Sequence, residues 1–150
     1  VDRLWEHTCF EVFLSAKGNS GYYEFNFAPS GDWAAYTFRG YRNPSSRPLV
    51  EDRSSKHEDL TPRIAVRSEG ITLKVDAMIR PYHLPGIEPG ARLRLALSAV
   101  VEDDRGLLSY WALKHAPGKP DFHHPDSFAL ELEPLAWQTA GGPSRVIGKR

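Results

Sequence analysis

The chain has little sulfur and no net charge. Its 150 residues include one cysteine and one methionine, and 19 basic residues balance 19 acidic ones. Cys9 therefore has no partner for an intrachain disulfide, which fits a reducing compartment such as the cytoplasm. A formal net charge of zero provides no overall field to attract nucleic acid or an anionic membrane surface. Partners of these two classes are therefore not expected.

Long apolar runs, helical periodicity and common catalytic motifs are also missing. No apolar run approaches the roughly 20 residues needed to cross a bilayer, so we expect no membrane span. No stretch of useful length repeats its apolar residues with the period of a helix. The sequence contains neither a glycine-rich phosphate loop nor a Gly-x-Ser-x-Gly elbow. Phosphate-loop chemistry and acyl transfer by a serine triad are therefore unsupported.

Alternation of apolar and polar residues is abundant instead. Successive side chains of a strand face opposite sides, so period-two runs bounded by turn residues predict strands. Eight short runs of this kind indicate one all-β domain over residues 1–134, an antiparallel β-sandwich of the jelly-roll type. The runs are Thr8–Leu14, Tyr22–Phe27, Trp33–Tyr41, Arg63–Arg67, Ile71–Ile79, Ala91–Glu102, Leu107–His115 and Phe128–Leu132.

Some segments carry predictions of their own. In the run Ile71–Ile79 the odd-numbered residues are apolar, which predicts a row directed at the core. Arg42–Thr61 is rich in proline, serine, threonine and charge, and it predicts a long surface loop that we expect to be mobile. Leu135–Arg150 carries Trp137 and a Gly-Gly-Pro break, and it predicts a C-terminal tail.

The first hairpin predicts a polar strip on one sheet face. Glu11 on the first strand and Glu24 and Asn26 on the second would stand on the same side, and opposite residues of paired strands come within about 5 Å. Arg39 on the third strand could join them. Carboxylate, amide and guanidinium groups bordered by aromatic rings suit the hydroxyls and the apolar C–H face of a sugar. We therefore expect a small, sugar-like ligand on this face.

The rim of this ligand site would be closed by aromatic residues and by a histidine-rich loop. For each tryptophan, burial in the sandwich core is the competing interpretation, because large rings are heavily buried on average. The candidate rim residues are Trp5, Trp33, Trp111, Phe122 and His123.

The same two carboxylates allow a catalytic alternative. Glycoside hydrolysis uses a pair of carboxyl groups about 5–10 Å apart, and Glu11 and Glu24 on neighbouring strands could lie that close. A structural ion network with Arg39, or hydrogen bonding to a ligand, is the simpler interpretation. We therefore expect no catalytic activity.

The loop His115–Asp126 is a second candidate site, for a metal ion. Histidines and carboxylates ligate zinc, and carboxylates together with loop carbonyl groups ligate calcium. The spacing matches no standard site, and adjacent histidines reach a single metal with poor geometry. Polar residues bonded to the turn backbone are the competing interpretation. The candidate ligands are His115, Asp121, His124 and Asp126.

Leu4–Leu14 (LWEHTCFEVFL), Tyr22–Arg42 and Ser109–Leu132 form three long blocks. Together they resemble the DOMON-like superfamily, in particular a bacterial branch known as MurB-like DOMON domains. The superfamily is similar to the family 9 carbohydrate-binding modules, and the resemblance covers nearly all of residues 1–134. It implies an antiparallel β-sandwich whose relatives bind sugars or haem in a pocket on one sheet.

The resemblance also implies an open sheet edge and a haem alternative. Members of the branch carry further strand-forming sequence before the Leu-Trp-Glu block, so a sandwich without its N-terminal strands is implied here. Haem-binding relatives use methionine and histidine as axial ligands, and Met78 and His115 would be that pair. Three functions remain open: a non-catalytic module for a sugar-like ligand, which we favour, a haem- or metal-binding domain, and a structural or partner-binding domain.

Overall fold

The computed structural model describes residues 2–45 and 60–134. Within these ranges the chain is mostly antiparallel β-sheet, so the predicted all-β sandwich is confirmed. The strands are β1 (Cys9–Ala16), β2 (Tyr22–Phe27), β3 (Trp33–Gly40), β4 (Asn43–Pro44), β5 (Arg63–Glu69), β6 (Thr72–Met78), β7 (Leu93–Glu102), β8 (Leu108–Ala112) and β9 (Leu130–Leu132). Short 3-10 turns lie at Leu4–Glu6, Pro81–His83 and Pro125–Ser127.

The strands form a large main sheet and a small second sheet. The main sheet runs β4-β3-β2-β1-β7-β8, and β9 pairs with β7 beyond the end of β8. The second sheet is the hairpin of β5 and β6. The core lies between these two layers, where apolar side chains of alternate residues meet.

Aromatic rings of β2 form the centre of this core. Phe25 and Phe27 are almost completely buried, and their rings stack at 6.4 Å. Ile64 of β5 and Val75 of β6 pack against the cluster from the second layer. Truncation of such a ring leaves a cavity and typically costs about 3–5 kcal/mol.

The predicted inward row of the second sheet is only partly buried. Val75 and Ile79 pack against the core, whereas Leu73 is 42% exposed and Ile71 is fully exposed. Ile71 belongs to the turn before β6 rather than to the strand. The turn end of the hairpin therefore extends past the core.

The two segments predicted to lack strands fall mostly outside the described residues. The predicted loop Arg42–Thr61 begins with β4, which pairs with β3, and residues 46–59 are not described. Residues 135–150, the predicted tail, are not described either. In the described part of the chain no helix is long and apolar enough to span a membrane.

Candidate functional site

A band of polar side chains crosses the outer face of the main sheet, the face turned away from β5 and β6. Asn26 of β2 is opposite Glu11 of β1, and Glu11 is opposite Ser98 of β7. Glu24 lies two residues before Asn26 on the same side of β2. These four residues, called the polar band below, therefore share one face, as predicted for Glu11, Glu24 and Asn26.

The polar band lies between apolar clusters rather than in open solvent. On β1, Glu11 stands between Cys9, which belongs to a cluster with Leu4, and Phe13, which belongs to a cluster with Phe122. The 3-10 turn at Leu4–Glu6 thus covers one side of the band, and the loop after β8 covers the other. Sequence alternation predicted the direction of the polar side chains but not this cover.

Three side chains of the band are buried, and that of Ser98 is half-buried. Glu11 is 5% exposed, Glu24 4% and Asn26 0%. Ser98 Oγ donates to Glu11 Oε2 at 3.0 Å, and Asn26 Nδ2 donates to Glu24 Oε1 at 2.8 Å. Among the described residues, Asn26 Oδ1 has no hydrogen-bond partner. Because buried polar atoms are nearly always paired, this orphan acceptor requires an explanation.

Burial changes the acidity of the groups in and beside the band. Burial and the charge of Glu24 raise the pKa of Glu11 to about 7, against the hydrogen bond from Ser98. Burial also raises the pKa of Glu24, although the hydrogen bond from Asn26 opposes it. Burial raises the pKa of the Cys9 thiol to about 12, so this cysteine is not a thiolate nucleophile at neutral pH.

His123 reaches the band from the loop that follows β8. Its ring centroid lies 5.1 Å from that of Phe13 and 5.0 Å from that of Phe38, both edge-on. Its Nδ1 is 2.8 Å from the hydroxyl of Tyr22, and its Nε2 is 3.7 Å from Glu24 Oε2. Burial, with a smaller effect of nearby Arg42, lowers the pKa of His123 to about 4. The imidazole is therefore neutral at physiological pH.

Asp121 fastens this loop to the end of β3. The guanidinium of Arg42 donates to Asp121 Oδ1 at 2.8 Å, and Tyr41 donates its hydroxyl hydrogen to Asp121 Oδ2. The backbone N–H of His123 also donates to Asp121 Oδ1, at 3.2 Å. Burial raises the pKa of Asp121, but the hydrogen bonds from Tyr41 and Arg42 outweigh it and lower this pKa overall. We call Asp121, Tyr41 and Arg42 the Asp121 latch.

Arg42 also fixes the hydrogen-bond direction at His123. It holds a φ of 49°, rare for a residue other than glycine, and its N–H donates to the Tyr22 hydroxyl at 3.3 Å. The hydrogen of Tyr22 then remains available for His123 Nδ1. This arrangement places the remaining ring hydrogen on Nε2, facing Glu24.

Several predicted rim residues do lie near the band. Phe122 is buried in the apolar cluster that contains Phe13, and His123 contacts Glu24 directly. Trp5 is 39% exposed, and its ring meets that of Tyr36 edge-on at 5.6 Å. Tyr36 is directly opposite Glu24 in the pairing of β2 and β3. Trp5 is therefore an exposed ring at the edge of the site.

Three other predicted residues lie on the opposite face. Because β3 pairs Tyr36 with Glu24, the side chain of Arg39 points to the other side of the sheet and is exposed. Trp33 packs against the core between the two layers. Trp111 is opposite Ala99, so its side chain lies on the face toward the second layer. Trp111 is 63% exposed. The prediction that these residues join or close the site is thus corrected.

Of the candidate metal ligands, His124 and Asp126 lie close together, with 3.8 Å between Nδ1 and Oδ2. In residues 2–45 and 60–134 no group of three or more His, Cys, Asp or Glu side chains is arranged to hold a metal ion. Asp121 is engaged by Arg42, and His124 Nδ1 accepts from the backbone N–H of Asp126 at 3.2 Å. His115 is exposed, with its ring 6.0 Å from that of Phe122.

The haem alternative has two exposed candidate ligands on different sheets. Met78 is 55% exposed on β6 of the second sheet, and His115 follows β8 of the main sheet. Neither side chain belongs to the polar band. Haem binding by this pair stays a prediction.

Sequence reasoning missed Ser98, Tyr41 and Arg42 as site residues. In the row of β7 that faces away from the core, Ser98 is the one residue with a hydroxyl group. This pattern predicts a contact with Glu11 only when the pairing of β7 with β1 is known. Tyr41 and Arg42 follow β3 with no pattern that predicts a contact with a distant loop.

No protein-family model, curated protein or solved structure matches this chain. The resemblance to the DOMON-like superfamily therefore stays a prediction.

Proposed function

We propose that the chain is a non-catalytic module that binds a small, sugar-like ligand at the polar band. The observation that carries this proposal is Asn26 Oδ1, a buried acceptor without a partner among the described residues, beside two buried carboxyl groups. An unpaired buried polar atom costs about 1–3 kcal/mol. A ligand hydroxyl that donates to this oxygen would recover that cost.

The chemistry of the band favours hydroxyl groups. Asn26 Oδ1 and the carboxylate of Glu24 accept hydrogen bonds. Glu11, whose pKa is raised to about 7, is present in both protonation states near neutral pH and can donate or accept. Sugar hydroxyls also donate and accept, so neighbouring hydroxyls of one ring match this mixture of groups.

The aromatic border supports the same ligand class. Trp5 and Tyr36 stand at one side of the band, and His123 stands at the other. The apolar C–H face of a pyranose packs on a flat ring such as the exposed indole of Trp5. Ligand access requires one cover to move, and the 3-10 turn is the weaker one because Leu4 is its one buried residue.

Calorimetric titration and melting temperatures with a panel of neutral mono- and oligosaccharides test this proposal. Glu24→Gln should weaken sugar affinity about tenfold, since it replaces a carboxyl oxygen that accepts a ligand hydrogen bond, and such a bond contributes on the order of 1 kcal/mol. Arg39→Gln is the matched control, because Arg39 was predicted from sequence for the same site but lies on the other face. Trp5→Ala should weaken binding and Trp111→Ala should not.

Two results would contradict the proposal. One is a panel in which no sugar raises the melting temperature, since a ligand of the folded state must stabilise it. The other is an equal loss of affinity in Glu24→Gln and Arg39→Gln, which would place the ligand elsewhere.

Acid–base catalysis by Glu11 and Glu24 is the second candidate function. Both carboxyl groups are buried on adjacent strands, and a Glu11 pKa of about 7 is suited to a general acid or base near neutral pH. Turnover of chromogenic glycosides, abolished in Glu11→Gln while sugar binding persists, would favour this function over the non-catalytic one.

A further inference from the structure

β8 is an edge strand whose outer side is free of strand partners in the described residues. Its inner side is defined by two hydrogen bonds: Leu113 N–H donates to Leu97 O, and Leu107 O accepts from Asp103 N–H, both at 3.0 Å. Alternate residues of an antiparallel strand direct their backbone groups to opposite sides. The backbone groups directed to the free edge are therefore those of Leu108, Tyr110 and Ala112.

This edge lacks the charged residues and prolines that commonly protect edge strands against pairing. Natural edge strands commonly carry a charged residue, a proline or a bulge that discourages a further strand. The segment Leu107–Leu113 contains no charge and no proline. Tyr110 is 46% exposed and Trp111 63%. The segment is thus a template for strand addition.

An exposed apolar strip adjoins the edge. Trp111 and Leu113 of the β8 segment, Val101 of β7, and Leu130 and Leu132 of β9 are each more than a third exposed. Strand pairing places them on one face of the main sheet, the face toward the second layer but outside its cover. Monomeric proteins rarely expose contiguous apolar surface of this kind.

We infer that this edge pairs with the same edge of a second copy of the chain, antiparallel and about a two-fold axis at Tyr110. This register places Leu108 opposite Ala112 and pairs all of β8. A two-fold axis perpendicular to the sheet keeps equivalent faces on the same side. The apolar strips of the two copies therefore join into one surface.

Charges at the two ends of β8 favour this antiparallel arrangement. Asp104, whose side chain is 94% exposed, lies in the turn before β8 at 3.9 Å from Arg105, and the exposed Lys114 follows β8. In the antiparallel dimer Lys114 of each copy lies opposite Gly106 of the second copy, beside the turn that holds Asp104 and within reach of a long side chain. Two such pairs form per dimer. A parallel arrangement would bring like charges together instead.

Sedimentation velocity of the full chain over a concentration series tests the interface. Lys114→Glu and Asp104→Lys should each raise the dimer dissociation constant roughly tenfold, because two attractive pairs become repulsive. The double variant should restore the dissociation constant, since the pairs reform with reversed signs. Lys119→Glu, which changes an exposed lysine away from β8, is the matched control and should have no effect.

A second variant tests the backbone pairing. Tyr110→Pro removes an edge donor without removing a hydrogen bond to β7, so it should leave a folded monomer by circular dichroism. A chain that is monomeric at every concentration would overturn the inference. So would association that is unaffected by the charge variants, or that the double variant fails to restore.

Discussion

At Glu11 and His123, burial moves two pKa values in opposite directions. Removal from water penalises the charged form of each side chain, which raises the pKa of an acid and lowers that of a base. The pKa of Glu11 rises to about 7, and that of His123 falls to about 4. At neutral pH Glu11 is therefore only partly ionised, and His123, which lies beside Glu24, is uncharged.

These two shifts should affect stability with opposite signs. The pKa of Glu11 is raised from 4.5 to about 7, so its contribution to the free energy of unfolding is present below pH 4.5 and is lost as pH rises through about 7. The pKa of His123 is lowered from 6.5 to about 4, so its contribution is present above pH 6.5 and is lost as pH falls through about 4. Because the two pH windows overlap, the effects partly cancel in the wild type.

Single substitutions should separate the two effects. Relative to wild type, the free energy of unfolding of Glu11→Gln should increase by about 3 kcal/mol as pH rises through the Glu11 window, at about 1.4 kcal/mol per pKa unit. The free energy of unfolding of His123→Asn should increase, relative to wild type, as pH falls from 6.5 through about 4. Urea denaturation at a series of pH values measures both.

The control for this pair is Glu88→Gln, which changes an exposed carboxylate. Its stability should follow the wild-type curve at every pH. If Glu11→Gln also ran parallel to wild type, the Glu11 carboxyl would have its ordinary acidity in the folded chain.

At the scale of elements, the loop after β8 determines whether the polar band is closed. The Asp121 latch holds this loop against the end of β3 and so keeps His123 over the band. The ion pair with Arg42 is partly exposed and is screened by water, so its own contribution to stability is modest. The latch matters more for the position of His123 than for the stability of the whole chain.

Asp121→Asn should therefore loosen the loop. We expect faster hydrogen exchange in residues 121–128 and a loss of about 1 kcal/mol of stability. The pKa of His123 should rise toward its ordinary value, because a loosened loop relieves the burial that is the main cause of its low pKa. Loss of the Asp121 charge acts in the opposite direction but is the smaller effect. Titration of the His123 ring by NMR measures this change. Asp126→Asn changes an exposed position in the same loop and should leave the pKa of His123 unchanged. If Asp121→Asn also left this pKa unchanged, the Asp121 latch would have no role in the position of His123.

The sequence predicted strands better than it predicted their surroundings. β2 has the predicted bounds, and alternation correctly put Glu11, Glu24 and Asn26 on one side of the sheet. It could not place Arg39, because the side that a residue faces relative to a neighbouring strand depends on the pairing register. It could not predict burial of the band, because the covers are a short 3-10 turn and a loop, and neither has periodicity. For Ile71 the sequence predicted burial, because the residue continues the apolar row of the second sheet. The side chain is instead exposed, because it lies beyond the edge of the core.

At the scale of the whole molecule, the two layers are unequally supported. The central strands of the main sheet, β1, β2 and β7, have partners on both sides and cover on both faces. The hairpin of β5 and β6 pairs with no other strand in the described residues and contacts the core through a few side chains, among them Ile64 and Val75. Local opening of the hairpin should therefore require less free energy than unfolding of the main sheet.

Hydrogen exchange followed by mass spectrometry should reveal this order. Amides of β1, β2 and β7 should exchange only through global unfolding, and those of β5 and β6 should exchange faster through local opening. Val75→Ala should speed exchange in the hairpin alone, because it removes a contact between the layers. Phe25→Ala should lower protection of all three central strands together, by about 3–5 kcal/mol for a lost core ring.

The two variants serve as controls for each other. If Val75→Ala lowered the protection of the central strands as much as that of the hairpin, the layers would unfold as one cooperative unit. In that case the second sheet would be as integral to the core as the rings of β2. The hairpin, with its exposed residues Ile71 and Leu73, would then open only when the whole fold is lost.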